Sequence, residues 1–259
     1  MLRLATWNVL APAYALPHRY AGVLPDDLAP ENRVPRVRSQ LRDLLLHSDV
    51  VAVQEADADL VSWLRDEVGA SLVHAPRRHA SDGVLLASCV HHLTGSTGAT
   101  RDGRRAWAAA ALDGVLVVSL HLDPEWPERR LAGAAQAGEL ADWIDEQEAA
   151  AVVLVGDLNA AWSSRTGDVL RRHGFEASAC GATAATNGRT RELDVVAVRG
   201  CSSVVVTQTG LPLVGSALWL PTPALRAITS RSEPSSAEGA KAESDDDGSQ
   251  ASARSRLSA

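Results

Sequence analysis

The strongest constraint on the fold is the segment 152–159, which reads Val-Val-Leu-Val-Gly-Asp-Leu-Asn. Four consecutive apolar residues predict a strand that is buried on both faces, and Gly156 lets the backbone turn where that strand ends. Asp157 and Asn159 follow, and a carboxylate and a carboxamide two residues apart can face one polar pocket. The same side chains are also typical of a chain turn, or of a cap for a helix near Ser163. The segment alone leaves both interpretations open.

Three more polar residues stand at the ends of other predicted strands. Asn8 lies at the end of the first strand, Glu55 comes shortly after the run Val-Val-Ala-Val, and His121 follows Val-Leu-Val-Val-Ser-Leu. Each residue alone has an ordinary explanation as a solvated strand end or a hydrogen-bonded residue at the edge of the core. Because open α/β folds place ligands where strand ends converge, the set as a whole indicates a polar site.

The apolar periodicity predicts a layered α/β fold with mixed sheets. Helices alternate with strands early in the chain, and antiparallel hairpins follow, with Asp-Gly turn signals at 102–103 and 113–114. The stretch 11–32 contains four prolines and predicts a long irregular surface loop. Helices are predicted from residue 34 to about 47, and over about 58–68, 128–147 and 164–173. Strands are predicted over 3–9, 50–53, 71–75, 83–88, 106–112, 115–121, 152–155, 193–198 and 202–206.

Composition restricts the class of function. With 259 residues, of which 46% are hydrophobic, the chain can bury a substantial core in one domain or at most two. A formal net charge of −7 argues against a protein that grips nucleic acid mainly by bulk electrostatics. All but one of the 25 basic residues are arginines, several of them in adjacent pairs such as 77–78 and 104–105. Such pairs suit bidentate contacts with phosphate oxygens, although codon usage explains this composition equally well.

The cysteines and the chain ends bear on the compartment and the domain limits. Cys89, Cys180 and Cys201 are widely spaced, which favours buried free thiols in a reducing cytoplasm over disulfides or a zinc site. The sequence has neither a signal-peptide pattern nor an apolar run of membrane-spanning length, so we expect a cytoplasmic protein without membrane contact. Residues 230–259 are rich in serine and charge and predict a disordered tail after a folded domain over 1–229.

Five short segments occur in a characteristic order along the chain. They read Thr-Trp-Asn-Val-Leu at 6–10, Val-Gln-Glu at 53–55, Ser-Leu-His-Leu at 119–122, Gly-Asp-Leu-Asn at 156–159 and Glu-Leu-Asp-Val-Val at 192–196. In order and spacing they resemble the metal-dependent endonuclease/exonuclease/phosphatase superfamily, and Ser-Asp-Gly-Val at 81–84 is similar to a segment of its deadenylase-like branch. The resemblance covers about residues 2–228. It implies a DNase I-like, four-layer α/β sandwich, in which two mixed β-sheets pack face to face with helices on the outside.

The resemblance implies hydrolysis of a phosphoester with the help of a metal ion. The expected ion is Mg²⁺, with Mn²⁺ as the alternative, and Glu55 would be its main ligand with Asn8 beside it. The expected enzyme is a phosphodiesterase or nuclease that acts as a monomer on RNA or DNA. A phosphorylated small molecule, such as a nucleotide or a phospholipid head group, is the alternative substrate.

Four further residues receive catalytic roles from the resemblance. Asp157 would orient or deprotonate the attacking water, and Asn159 would hold a phosphate oxygen and keep Asp157 in place. His121 would donate to the phosphate in the transition state, where it needs its proton. Asp194 would pair with a histidine supplied late in the chain.

The closing segment departs from the family pattern. The family usually carries Ser-Asp-His after its last strands, whereas this chain reads Ser-Ala-Leu at 216–218 and has no histidine after His173. Ala217 offers no carboxylate, and Leu218 can neither donate nor accept a proton. Loss of one positioned acid–base group costs about 10²–10⁴ in rate. Three interpretations stay open: a hydrolase with reduced or altered activity, a catalytically inactive protein that binds a phosphorylated ligand or nucleic acid, and a deliberately inactivated variant.

Overall fold

The computed structural model describes residues 2–20, 23–125, 131–177, 184–186, 189–191, 193–209 and 224–231. The strands of these ranges are β1 (Leu2–Asn8), β2 (Val50–Asp57), β3 (Ser71–Pro76), β4 (Asp82–Ser88), β5 (Gly95–Ala99), β6 (Ala106–Leu112), β7 (Val115–His121), β8 (Ala151–Asp157), β9 (Glu176–Ala177), β10 (Ala184–Thr186), β11 (Arg189–Arg191), β12 (Asp194–Arg199), β13 (Cys201–Thr209) and β14 (Ala224–Arg231). The helices are α1 (Pro25–Leu28), α2 (Pro30–His47), α3 (Ala58–Asp66), α4 (Ala132–Asp145) and α5 (Arg165–Arg172), with short 3-10 turns at Pro12–Tyr14 and Pro17–Arg19.

Two six-stranded sheets form the centre of the fold. The first has the order β13-β14-β1-β2-β4-β3 and the second β5-β6-β7-β8-β12-β9, while β10 and β11 form a separate pair. The two central strands of each sheet are parallel, β1 beside β2 and β7 beside β8, and their other neighbours are antiparallel. Parallel strands end at the same edge of a sheet, so each sheet delivers two strand ends to one place.

Three apolar clusters show that the sheets and helices form four layers. One cluster lies between the sheets and contains Leu4 and Val50 of the first sheet with Val117 and Val153 of the second. A second joins the first sheet to α2 and α3, and a third joins the second sheet to α4 and α5. The predicted four-layer sandwich, with two mixed sheets packed face to face and helices outside, is therefore confirmed.

A polar contact crosses the apolar layer between the sheets. Gln54 of β2 donates from Nε2 to Oγ of Ser119 in β7 over 3.2 Å, and to Oγ1 of Thr6 in β1 over 3.1 Å. All three side chains are buried. Because buried polar groups are costly when unpaired, this contact favours one alignment of the two sheets.

The prediction of an irregular loop over 11–32 is only partly correct. The short helix α1 lies within it, and α2 begins at Pro30 instead of residue 34. Proline fits the first position of a helix, because the N–H that it lacks would have no partner in the helix there. A proline therefore marks the start of α2, where the sequence pattern indicated a break.

Three strands of the large sheets, namely β5, β14 and the two-residue edge strand β9, were not predicted from the sequence. The edge strand β5 is largely exposed and reads Gly-Ser-Thr-Gly-Ala, which has no alternation of apolar residues. The strand β14 lies between β1 and β13 and extends to Arg231, two residues beyond the predicted domain limit at 229. The remaining residues of the predicted tail, 232–259, lie outside the described ranges.

Two other expectations concern the cysteines and membrane contact. Cys89 is exposed and Cys201 is partly buried, so the expectation of buried thiols is wrong for Cys89. Cys180 lies outside the described residues. Among the helices that the structure describes, none combines the length and the apolar composition needed to cross a membrane.

Candidate active site

The predicted site residues lie at one edge of the sandwich. Asn8, His121 and Asp157 are the last residues of β1, β7 and β8. Asp194 is the first residue of β12 and faces Asp157 in the antiparallel register between β12 and β8. Glu55 lies near the end of β2, and all five side chains are buried. The topology thus brings together residues that are as far apart as 8 and 194 in the sequence.

A bulge in β2 sets the direction of the Glu55 side chain. The pairing of β2 with β4 shifts register between Gln54 and Ala56, and Glu55 itself has a φ of 60°. A left-handed backbone is unfavourable for a glutamate, and such strain is found mainly where a bulge re-aims a side chain at a functional site. The Glu55 carboxylate accepts the backbone N–H of Ala11 at Oε2 over 2.9 Å.

Gly156 is required for the approach of β8 to β7. Its φ is 142°, and a Cβ at this position would lie 2.1 Å from the carbonyl oxygen of Leu120. Only glycine tolerates both the conformation and the contact. The close approach places Asp157 directly opposite His121 in the parallel register.

Asn8 connects the two halves of the site. Its Nδ2 donates to Oε1 of Glu55 over 3.1 Å and to Oδ2 of Asp157 over 2.9 Å. Its Oδ1 accepts the backbone N–H of Leu10 over 3.0 Å. The carboxamide therefore turns its nitrogen toward both carboxylates, so Asn8 would have to rotate to offer an oxygen to a metal ion. Its assignment as a metal-side residue stays a prediction.

Burial changes the acidity of both carboxylates. It raises the pKa of Glu55 to about 7, with a smaller contribution from the negative charge of Asp157, while hydrogen bonds from Asn8 and Ala11 act in the opposite direction. Burial also raises the pKa of Asp157, against hydrogen bonds from Asn8 and Asn159 and the charge of Arg105. Two neighbouring buried carboxylates with raised pKa values are typical of functional sites.

His121 lies beside both carboxylates. Its Nε2 is 3.8 Å from Oδ2 of Asp157 and 4.0 Å from Oε1 of Glu55. Burial, reinforced by the charges of Arg105 and Arg77, lowers the pKa of His121 well below its usual value. A neutral imidazole still donates one N–H, so this histidine can donate a hydrogen bond without carrying a positive charge. Among the described residues, its Nδ1 has no hydrogen-bond partner.

Asp157 and Asn159 form a chain turn, which was one of the two interpretations of this segment, while their catalytic roles stay a prediction. The backbone N–H of Asn159 donates to Oδ1 of Asp157 over 2.6 Å, which is a turn closed by an aspartate side chain. Asn159 has a φ of 52°, and its Nδ2 donates to the carbonyl of Leu122 over 2.9 Å. The turn thus leaves Oδ2 of Asp157 for the contact with Asn8.

Several arginines near the site are already paired with carboxylates. Arg104 and Arg105 form ion pairs with Asp123 over 3.2 and 2.7 Å, and Arg77 forms one with Asp82. These arginines were predicted as candidate phosphate contacts, but each has an acidic partner, five residues away for Arg77 and 18 residues away for Arg105. Asp123 could have been found from its position two residues after His121.

The candidate site is incomplete in the part of the chain that the structure describes. The closing segment with Ala217 and Leu218 lies outside it, so its placement relative to Asp194 is not described. Within the described ranges, no group of three or more His, Cys, Asp or Glu side chains is arranged so that it could hold a metal ion.

The sequence and the fold both have known relatives. Residues 5–237 match the profile of the Endonuclease/Exonuclease/phosphatase family, whereas no curated protein sequence matches the chain. Among solved structures, the chain resembles ANGEL2, a 2',3'-cyclic phosphatase, with a TM-score of 0.67 and 12% identity over 87% of this chain and 95% of that one. It also resembles the human Nocturnin catalytic domain, with a TM-score of 0.64 and 15% identity over 88% and 93% of the two chains. For truncated TDP2 of Caenorhabditis elegans the TM-score is 0.64, with 16% identity over 88% and 96%. At these identities the structural likeness establishes the fold.

Proposed function

Because the chain belongs to the Endonuclease/Exonuclease/phosphatase family, we propose that it is a metal-dependent phosphoester hydrolase, and specifically a phosphodiesterase that acts on RNA or DNA. The observation that carries the proposal is the meeting of Glu55 and Asp157, from different sheets, at the single carboxamide of Asn8. Two buried carboxylates held this close are expensive to keep ionised without a nearby cation.

The oxygen donors of this site fit Mg²⁺, with Mn²⁺ as the alternative. Mg²⁺ is bound through one or two carboxylates and keeps several water ligands, so Glu55 is a sufficient main ligand. Asn8 would join it by turning its carboxamide so that Oδ1 faces the ion. When bound, the ion would polarise the phosphate and offset the charge that spreads over its oxygens.

The remaining residues would act on the water and the phosphate. Asp157 would orient the attacking water and accept its proton, a role that its raised pKa favours. Asn159 would keep the Asp157 carboxylate in place through its backbone N–H, and it would hold a phosphate oxygen once its Nδ2 is released from the carbonyl of Leu122. His121, as a neutral imidazole, would donate an N–H to a phosphate oxygen in the transition state. Asp194 lies opposite Asp157 in the register, and the late histidine with which the family pattern pairs it is not present in the sequence.

The choice of test substrates follows from the structural relatives. ANGEL2, a 2',3'-cyclic phosphatase, shares the fold and has a structure in complex with adenosine-2',3'-vanadate. We therefore include RNA with a 2',3'-cyclic phosphate end beside single-stranded RNA, single-stranded DNA and phosphorylated small molecules as test substrates. We expect the protein to act as a monomer in the cytoplasm.

A catalytically inactive binding protein is the second candidate, and Ala217 and Leu218 favour it. The deciding assay measures turnover of the four substrate classes in Mg²⁺ and in EDTA. Turnover that EDTA abolishes supports the hydrolase, with Asp157→Asn as the inactive control. If the wild type shows no turnover and the double variant Ala217→Asp, Leu218→His gains it, the protein is a catalytically inactive binding protein and the hydrolase proposal fails.

A further inference from the structure

A cavity beside the candidate active site shares Glu55 as one of its walls. Its volume is about 250 Å³, just below the range of about 300–1,000 Å³ that is typical of sites for drug-sized ligands. The cavity is enclosed by the chain after β1, the first turns of α2 and α3, and the end of β2. Leu10, Pro30, Val34 and Leu60 belong to its apolar lining. These dimensions suit one planar heterocycle.

Arg33 brings unused hydrogen-bond donors to this cavity. It belongs to the lining and is only 3% exposed. Its Nη2 donates to the carbonyl of Val9, and in the described part of the chain Nε has no partner and the guanidinium forms no ion pair. A guanidinium has five N–H donors, and buried donors are normally satisfied. Nε is closed off from solvent in this conformation, so Arg33 fits a ligand with hydrogen-bond acceptors once its side chain turns toward the cavity.

The start of α3 brings acceptors to the same cavity. Asp57 and Asp59 belong to the lining, and Asp57 uses Oδ1 to accept the backbone N–H of Leu60 over 2.8 Å. Together with Glu55, these residues give the lining three carboxylates. A phosphate group inside the cavity, where no cation offsets these charges, would be repelled by them, whereas an uncharged ligand with donors on one side would be bound.

We propose that this cavity binds a guanine base. Guanine offers O6 and N7 as paired acceptors to an arginine, and N1–H and the 2-amino group as donors to a carboxylate. Arg33 takes the first edge, Asp57 or Asp59 takes the second, and the apolar lining packs against the ring faces. This step rests on the proposed hydrolysis: because Glu55 borders both sites, the base lies next to the phosphate under attack. The preferred substrate is then a guanosine nucleotide or a guanosine-containing strand.

Calorimetric titration with nucleosides in EDTA tests this site. We expect guanosine to bind at least tenfold more tightly than adenosine, and inosine, which lacks the 2-amino group, to fall between them. Val34→Trp should fill the cavity and weaken guanosine binding at least tenfold. Leu46→Trp is the matched control, because Leu46 lies on the same helix but is 77% exposed. This control should leave the affinity unchanged.

Three results would overturn the proposal: no guanosine binding by the wild type, equal affinity for guanosine and adenosine, or full affinity in Val34→Trp. Arg33→Met should also weaken guanosine binding at least tenfold, and Val34→Trp decides the matter if Arg33→Met does not fold. Nucleosides carry no phosphate and EDTA removes the metal, so the titration is independent of turnover. Hydrolysis without guanosine binding refutes the base site alone, and guanosine binding without hydrolysis refutes the proposed function alone.

Discussion

Glu55→Gln removes one of the two buried carboxylates and keeps the size of the side chain. Burial and the charge of Asp157 raise the pKa of Glu55 from 4.5 to about 7 in the folded, metal-free protein. In the unfolded chain the same carboxyl titrates near its usual value. Between pH 4.5 and about 7 the unfolded chain therefore binds fewer protons than the folded one, and the free energy of unfolding falls as the pH rises.

The size of this effect follows from the two pKa values. A rise from 4.5 to about 7 corresponds to a penalty of about 3 kcal/mol at about 1.4 kcal/mol for each unit. The glutamine can keep the bond from Asn8, but its amide nitrogen cannot accept the N–H of Ala11, which costs about 1 kcal/mol. We expect Glu55→Gln to be less stable than the wild type by about 1 kcal/mol at pH 4.5 and more stable by about 2 kcal/mol above pH 7.

Urea unfolding in EDTA from pH 4.5 to 8 measures this difference. The reasoning is refuted if the stability difference between the two proteins does not change with pH. Added Mg²⁺ should stabilise the wild type at pH 8 and leave the variant unchanged, because a ligand stabilises only the protein that binds it. Equal stabilisation of both proteins would remove Glu55 from the metal site.

Three further predictions concern the site and the polar contact between the sheets. Asp157→Asn should lower the rate of hydrolysis by about 10²–10⁴ and leave the far-UV circular dichroism unchanged; a smaller loss would show that Asp157 does not act on the water. Gly156→Ala should lower the free energy of unfolding, measured in urea, by at least about 3 kcal/mol. The control Gly69→Ala should lower it by about 1 kcal/mol, because Gly69 also has a positive φ but no atom lies within 4 Å of the added Cβ. Equal losses in the two variants would contradict the steric argument. Gln54→Leu should lower the free energy of unfolding by about 2–3 kcal/mol because it leaves buried hydroxyls unpaired. Adding Ser119→Ala should recover part of that loss. A further loss of stability would show that the hydrogen bond between the sheets is unimportant.

The sequence predicted the layers of this fold because the buried strands are continuous apolar runs. The runs that precede His121 and Asp157 are buried on both sides, so their strands follow directly from composition. The positions of the polar residues at the strand ends then followed from the rule that parallel strands end together. The four-layer arrangement came from the family resemblance and is confirmed by the clusters between and outside the sheets.

What the sequence did not predict depends on contacts between distant residues. The edge strand β5 is held by backbone pairing with β6, which leaves no trace in its side chains. The ion pair of Arg105 is set by Asp123, and the orientation of the Asn8 carboxamide is set by Glu55 and Asp157, which only the folded chain brings close. The left-handed backbone of Glu55 is likewise fixed by the bulge against β4.

The division of the site between two sheets limits when it can exist. Asn8 and Glu55 are brought together by the pairing of β1 with β2, but His121 and Asp157 lie on β7 and β8, 66 and 102 residues after Glu55 in the sequence. The bond between Gln54 and Ser119 forms only when the two halves dock. An incomplete chain that ends before β8 thus carries Asn8 and Glu55 without Asp157, so the candidate centre can assemble only after both sheets have been synthesised.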